Sequence, residues 1–99
     1  MRTKNTSVIF NLSSKMIEAL PIIDAVYLHY GKVAVITSAK DGKHMKNSKH
    51  YSGNAVDLRT NYFDKETQVK VTGQLQSQLG DAYDVVLEHH HIHLEYDPK

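Results

Sequence analysis

Apolar residues recur at helical spacing in the first third of the chain. The pattern predicts a helix that begins at a cap on Ser13 or Ser14 and runs toward Tyr30. Pro21 lies inside this segment and predicts a kink or a break into two short helices, because proline removes one backbone hydrogen bond. Gly31 is a plausible C-terminal stop for the helix.

A second helix and four short strands follow. The helix is predicted to begin after a cap at Asp64 and to end at Gly80. Val69, Leu75 and Leu79 give it a weak apolar face. Runs of β-branched or alternating residues predict strands at 33–37, 54–59, 83–87 and 91–96. A long polar loop, 38–53, is of the kind that is usually functional or disordered. The element order predicts one α+β domain over residues 1–99, with a small antiparallel sheet and two main helices.

The last strand alternates strictly between polar and apolar side chains. His91, His93 and Glu95 therefore share one face, and the apolar residues between them face the core. Asp57 lies in strand 54–59 between core residues, so its carboxylate needs a partner. His50 precedes Asp57 by seven residues, which suits a loop ligand followed by a strand ligand.

Two histidines and one aspartate would form a three-ligand zinc site with an open position, as catalytic zinc sites have. The chain has no cysteine to close such a site. Glu88 is the candidate general base, but in a straight strand it would face away from His91 and His93. We therefore expect a turn or bulge at 89–90 that brings Glu88 to the site.

Two segments carry a family resemblance. Residues 48–57 fit S-x-H-x-x-G-x-A-x-D, and residues 88–93 fit E-x-x-H-x-H. Together, and with a predicted helix between them, they resemble the zinc peptidases that include D-alanyl-D-alanine carboxypeptidases, lysostaphin-type enzymes and the hedgehog signalling domain. The motifs cover ten and six residues, and the element order extends the likeness over about residues 33–96.

The resemblance implies a role for each matched residue. His50, Asp57 and His93 would hold Zn²⁺, although His91 could be the ligand with His93 beside it. Glu88 would act as general base and acid, and His91 would stabilise the oxyanion. The implied substrate is a peptidoglycan stem peptide, cut at a bond involving a D-amino acid. A zinc-binding module without catalysis and a metal-free interaction protein are the competing functions.

Four further residues are candidates for the substrate side. The resemblance implies that Ser48 orients the site. The upstream arginine that carboxypeptidases of this type use to grip a terminal carboxylate is missing, and Arg59 could replace it, as could a loop lysine. His44 either lines the site or is solvated, and Tyr51 either closes over the substrate or packs the loop. Carboxypeptidase and endopeptidase activity both stay open.

The charge and hydropathy of the chain limit the classes of partner that we expect it to bind. Twelve basic and eleven acidic side chains give a formal charge of +1, which does not favour nucleic acid or an anionic membrane surface. The longest apolar stretch is too short and too polar to span a bilayer, and no signal peptide is evident. We expect a soluble protein made in the cytoplasm, with a size that suits a phage-type lytic enzyme (endolysin) acting on the cell wall.

Overall fold

The computed structural model describes residues 1–3, 12–38 and 53–98. In chain order the elements are β1 (Arg2–Thr3), α1 (Ser14–His29), β2 (Val35–Ser38), β3 (Ala55–Arg59), α2 (Lys65–Leu79), β4 (Tyr83–Leu87) and β5 (His91–Tyr96). Two helices and a mostly antiparallel five-stranded sheet confirm the predicted α+β class. The two-residue strand β1 is an addition that the apolar pattern does not predict.

The sheet has the order β1-β2-β3-β5-β4. Its single parallel pair is β1 with β2, at one edge, and the remaining neighbours are antiparallel. Strands β3 and β5 lie side by side near the middle of the sheet, although the whole of α2 and β4 separates them in sequence. Residues from distant parts of the chain therefore meet at the β3–β5 pair.

Helix α1 runs unbroken through Pro21, so the predicted division into two short helices is wrong. Ser13 caps the helix, and its side-chain oxygen accepts a hydrogen bond from the Met16 N–H at 3.2 Å. Pro21 is exposed, whereas Ile23 and Tyr27 beyond it are fully buried. The free energy gained by burying apolar side chains before and after the proline offsets the loss of the backbone hydrogen bond that the proline removes.

Helix α2 begins and ends where the sequence predicts. The Asp64 carboxylate accepts from the Thr67 N–H at 2.8 Å. Hydrogen bonds from the Thr67 side chain and, second, from its backbone lower the pKa of Asp64. Gly80 follows the helix with a φ of 88°, which a residue with a side chain rarely adopts. The buried face differs from the predicted one, because Val71 is buried with Leu75 whereas Val69 is 57% exposed.

Both helices pack against one face of the sheet. The core joins buried residues of α1 and α2 to alternate residues of the two central strands, namely Val56, Leu58, Ile92 and Leu94. Residues 57, 91, 93 and 95 alternate with these and so lie on the other face. Neither of the helices in the described ranges has the length and apolarity needed to cross a membrane.

Candidate metal centre

The register of β3 and β5 assembles the predicted polar face. Asp57 lies directly opposite His93, and Arg59 lies opposite His91. Directly opposed residues in an antiparallel pair have Cβ atoms about 4.5–5.5 Å apart, so their side chains can meet. The strand alternation that predicts this face is confirmed, and the register adds which residues are paired.

His93 lies between two carboxylates. Its Nδ1 is 3.1 Å from Asp57 Oδ1, and its Nε2 is 2.8 Å from Glu95 Oε1. Carboxylates only accept hydrogen bonds, so both ring nitrogens donate when both contacts are satisfied, which requires the imidazolium form. The hydrogen bond to Asp57 is the main cause that raises the pKa of His93 to about 9; burial opposes the rise and Glu95 adds to it.

The predicted turn at 89–90 is present. Strand β4 ends at Leu87, β5 begins at His91, and the Glu88 N–H donates to the His91 carbonyl at 2.8 Å. Glu88 continues the alternation of Asp84 and so falls on the site face, which a straight strand from 88 to 93 would not allow. Its Oε1 lies 3.2 Å from His91 Nε2.

Asp57 Oδ1 is the point at which the two histidines converge. It lies 3.1 Å from His93 Nδ1 and 3.6 Å from His91 Nε2. Asp57 is only 8% exposed, so the carboxylate is held away from bulk water. The described part of the site is therefore a continuous chain of acid and imidazole groups that runs from Glu88 through His91, Asp57 and His93 to Glu95.

An irregularity in the neighbouring strand lies beside Asp57. Ile36 pairs with Leu58 and Ser38 pairs with Asp57, so β2 has one extra residue, Thr37, at this point. The Thr37 hydroxyl donates to the Asp57 carbonyl at 3.4 Å. Bulges are over-represented next to active sites, where they adjust the direction of a side chain.

Gly53 supports the approach to β3. Its φ is 76°, so the chain turns before Asp57 in a conformation that favours glycine. Its carbonyl accepts a hydrogen bond from the Ser13 N–H at 3.0 Å, which ties the start of β3 to the start of α1. The backbone ahead of Asp57 is therefore fixed to the helix layer.

Four of the predicted site residues lie outside the described residues: His44, Ser48, His50 and Tyr51. The third proposed zinc ligand, His50, is among them. Arg59 is described, and it shares the face of Asp57 opposite His91. Its role toward a substrate carboxylate stays a prediction.

Sequence reasoning gave no role to Glu95, although strand alternation had put it on this face. The structure also brings Glu95 close to Asp84 and Asp97, with one oxygen of each carboxylate within 4.8 Å of the others. Over the described ranges, this is the group of three acidic or histidine side chains that meets this distance, and it could hold a metal ion. Three carboxylates suit the hard ions Mg²⁺, Ca²⁺ and Mn²⁺ better than zinc.

The Asp57–His93 pair matches the spacing of two ligands on one zinc ion. Zinc bonds of about 2.0–2.2 Å in a tetrahedron place neighbouring donor atoms about 3.4 Å apart. The observed distances from Asp57 Oδ1, 3.1 Å to His93 and 3.6 Å to His91, lie on either side of that value. The donor types, imidazole nitrogen and carboxylate oxygen, are also those that zinc accepts.

Comparison of the chain with protein-family models finds no match, and comparison with curated proteins finds none either. The family resemblance therefore stays a prediction based on the two motifs.

Proposed function

We propose that this protein is a zinc-dependent peptidase that hydrolyses a peptide bond in peptidoglycan stem peptides, next to a D-amino acid. The observation that carries the proposal is the convergence of His93 and His91 on Asp57 Oδ1, with Glu88 turned back to within 3.2 Å of His91. His50, outside the described residues, completes the proposed ligand set with Asp57 and His93. The motif 48–57 supports its inclusion.

The surroundings of the two histidines favour His93 as the ligand. Glu95 holds the Nε2 of His93, and a metal-ligating histidine commonly donates its second nitrogen to a carboxylate in this way. This leaves Nδ1, which faces Asp57, as the atom that binds the ion. His91 instead shares its Nε2 with Glu88 and is the more exposed ring, so it suits contact with a substrate.

Zinc, when bound, lowers the pKa of a coordinated water to about 7 and polarises the scissile carbonyl. Glu88 then accepts the proton of the attacking water and passes it to the leaving amine. His91 Nε2 donates a hydrogen bond to the oxygen that becomes negative in the transition state. The contact between Glu88 and His91 positions the base and the donor against each other before substrate binds.

Of the four candidates for the substrate side, only Arg59 lies within the described residues. Arg59 lies across from His91 and provides a guanidinium on the site face, which would pair with a carboxylate of the stem peptide. Ser48, His44 and Tyr51 belong to the proposed substrate side through the loop 38–53. An acidic peptide is the substrate class that this positive group would recognise. The proposed phage-type lytic role at the cell wall rests on the motif resemblance alone.

Digestion of purified peptidoglycan and of short D-Ala-terminated peptides, with products identified by mass, tests the proposal. We expect zinc-dependent release of peptide products. Internal cleavage would define an endopeptidase, and loss of the terminal residue a carboxypeptidase. Absence of products from zinc-loaded protein on both substrates would reject the enzyme and favour a zinc-binding module.

A Glu88→Gln variant tests the assigned base. We expect hydrolysis to fall by about 10²–10⁴-fold while zinc binding is kept, because Glu88 is not a ligand in the proposed site. Glu66→Gln, on the exposed surface of α2, is the matched control and should keep full activity. Full activity in Glu88→Gln would remove Glu88 from the mechanism.

A further inference from the structure

The tip of the β4–β5 hairpin carries two adjacent histidines that the proposed peptidase site does not use. His89 and His90 are both exposed and form the two-residue bend between the strands. Their ring centroids lie 4.1 Å apart with an interplanar angle of 67°. The hydrogen bond from the Glu88 N–H to the His91 carbonyl closes the bend beneath them.

This ring spacing is close to that of two imidazoles on one metal ion. A nitrogen–metal bond of about 2.0–2.1 Å puts each ring centroid about 3.2 Å from the ion. Two rings at 90–110° around the ion then have centroids about 4.5–5.2 Å apart. The observed 4.1 Å therefore needs to widen by about 0.4–1.1 Å, which side-chain rotations provide for two exposed rings.

The hairpin reduces the entropic cost of holding such an ion. Paired residues on both sides, up to Leu87 opposite Ile92, fix the backbone that carries the two rings. Only side-chain rotations have to be restricted on binding, because the backbone of the bend is already fixed. Two histidines in a mobile segment would also lose backbone freedom.

We propose that His89 and His90 bind a divalent transition-metal ion through two imidazole nitrogens, with water completing the coordination. Neutral imidazole suits Cu²⁺, Ni²⁺ and Zn²⁺, and the affinity order of these ions makes Cu²⁺ the tightest. The site is separate from the Asp57–His93 pair and does not depend on peptidase activity. It differs from the carboxylate group of Asp84, Glu95 and Asp97 in its ligand chemistry, since Mg²⁺ and Ca²⁺ prefer oxygen donors.

Titration of the Asp57→Ala variant with Cu²⁺, by calorimetry and electron paramagnetic resonance, tests the site apart from the proposed zinc centre. We expect a bound equivalent with nitrogen hyperfine coupling, and about tenfold or greater weakening in His89→Ala or His90→Ala, since each removes one of two protein donors. His29→Ala, which removes an exposed histidine at the end of α1, is the control and should bind as before.

Each outcome of the Cu²⁺ titration either supports or overturns the proposed site. Loss of the Cu²⁺ equivalent in the two tip variants, with circular dichroism unchanged, supports the site. A combined His89→Ala, His90→Ala variant that binds as many Cu²⁺ equivalents as its Asp57→Ala parent would place the ion elsewhere and overturn the proposal. Mg²⁺ competing with Cu²⁺ at the tip would also contradict it, because oxygen-preferring ions should not displace an imidazole-bound ion.

Discussion

The two faces of the β3–β5 pair are built from the same strands yet are held together by opposite means. On one face, Leu58 and Leu94 are fully buried against the helices. On the other, Asp57 and His93 are also largely buried, but as a charged pair at 3.1 Å. Apolar burial is favourable in itself, whereas a buried charge is tolerated only with its partner. The first face should therefore stabilise the domain at every pH. The second should do so only while its charged groups are paired, and it carries the proposed chemistry.

Loss of a ligand should give the largest effect on the polar face. Asp57→Ala should weaken zinc binding by roughly a thousandfold, since a binding free energy of about 10–16 kcal/mol is shared among three or four ligands. Competition with a chelator of known affinity measures the change. Asp81→Ala, an exposed position before β4, is the control and should keep wild-type affinity. Unchanged affinity in Asp57→Ala would exclude this carboxylate from the centre.

Truncation on the apolar face should lower stability instead. Leu94→Ala should reduce the free energy of unfolding by about 2–5 kcal/mol, because it leaves a cavity in the core. Denaturant unfolding measures it. Val86→Ala is the matched control: Val86 lies opposite His93 in β4 and is 46% exposed, so its loss should cost well under 1 kcal/mol. Equal costs at the two positions would contradict the division between the faces.

The Asp57–His93 pair should make the free energy of unfolding of the metal-free protein depend on pH. The pKa of His93 is raised from 6.5 to about 9 in the folded state, so its protonated form favours folding. The stabilisation is fully present below about pH 6.5 and is lost as pH rises through about 9, by up to about 3 kcal/mol. Denaturant unfolding of chelator-treated protein at pH 6, 7.5 and 10 measures it. His93→Gln should remove this dependence, and a wild-type profile that rises with pH would refute the sign.

The smallest expected effect concerns the carboxylate behind His93. Glu95→Gln should weaken zinc binding by about tenfold, because the residue orients the ring through Nε2 without touching the ion. Isothermal titration measures the affinity. Asp97→Asn should leave it unchanged, since Asp97 belongs to the acidic group and is not one of the three proposed zinc ligands. A parallel loss in both variants would point to the acidic group itself as the zinc site.

Strand alternation and one turn account for much of what could be predicted. Alternation placed Asp57, His91 and His93 away from the core. The requirement that Glu88 reach them predicted the bend at 89–90, and both features are present. A two-residue bend at 89–90 also implies that Asp84 pairs with Glu95, as observed. The closeness of these two carboxylates could therefore have been predicted from the sequence.

Other features depend on tertiary contacts that the local pattern does not contain. Pro21 predicts a kink or a break, and the break is absent. Ile23 and Tyr27 continue the buried side of α1 beyond the proline, and their packing outweighs one lost hydrogen bond. Val69 and Val71 are both apolar residues of α2, and only the direction in which the helix packs makes Val71 the buried one. Strands β3 and β5 are far apart in sequence, so no local periodicity predicts that they pair.

The distance along the chain between Asp57 and His93 has a consequence for the lifetime of the folded state. An ion held by both residues would act as a cross-link that closes a loop of 36 residues. A covalent cross-link of that length removes about 4 kcal/mol of conformational entropy from the unfolded chain. The two strands could not separate while both residues hold the ion, so zinc binding should slow unfolding of the domain as well as raise its stability.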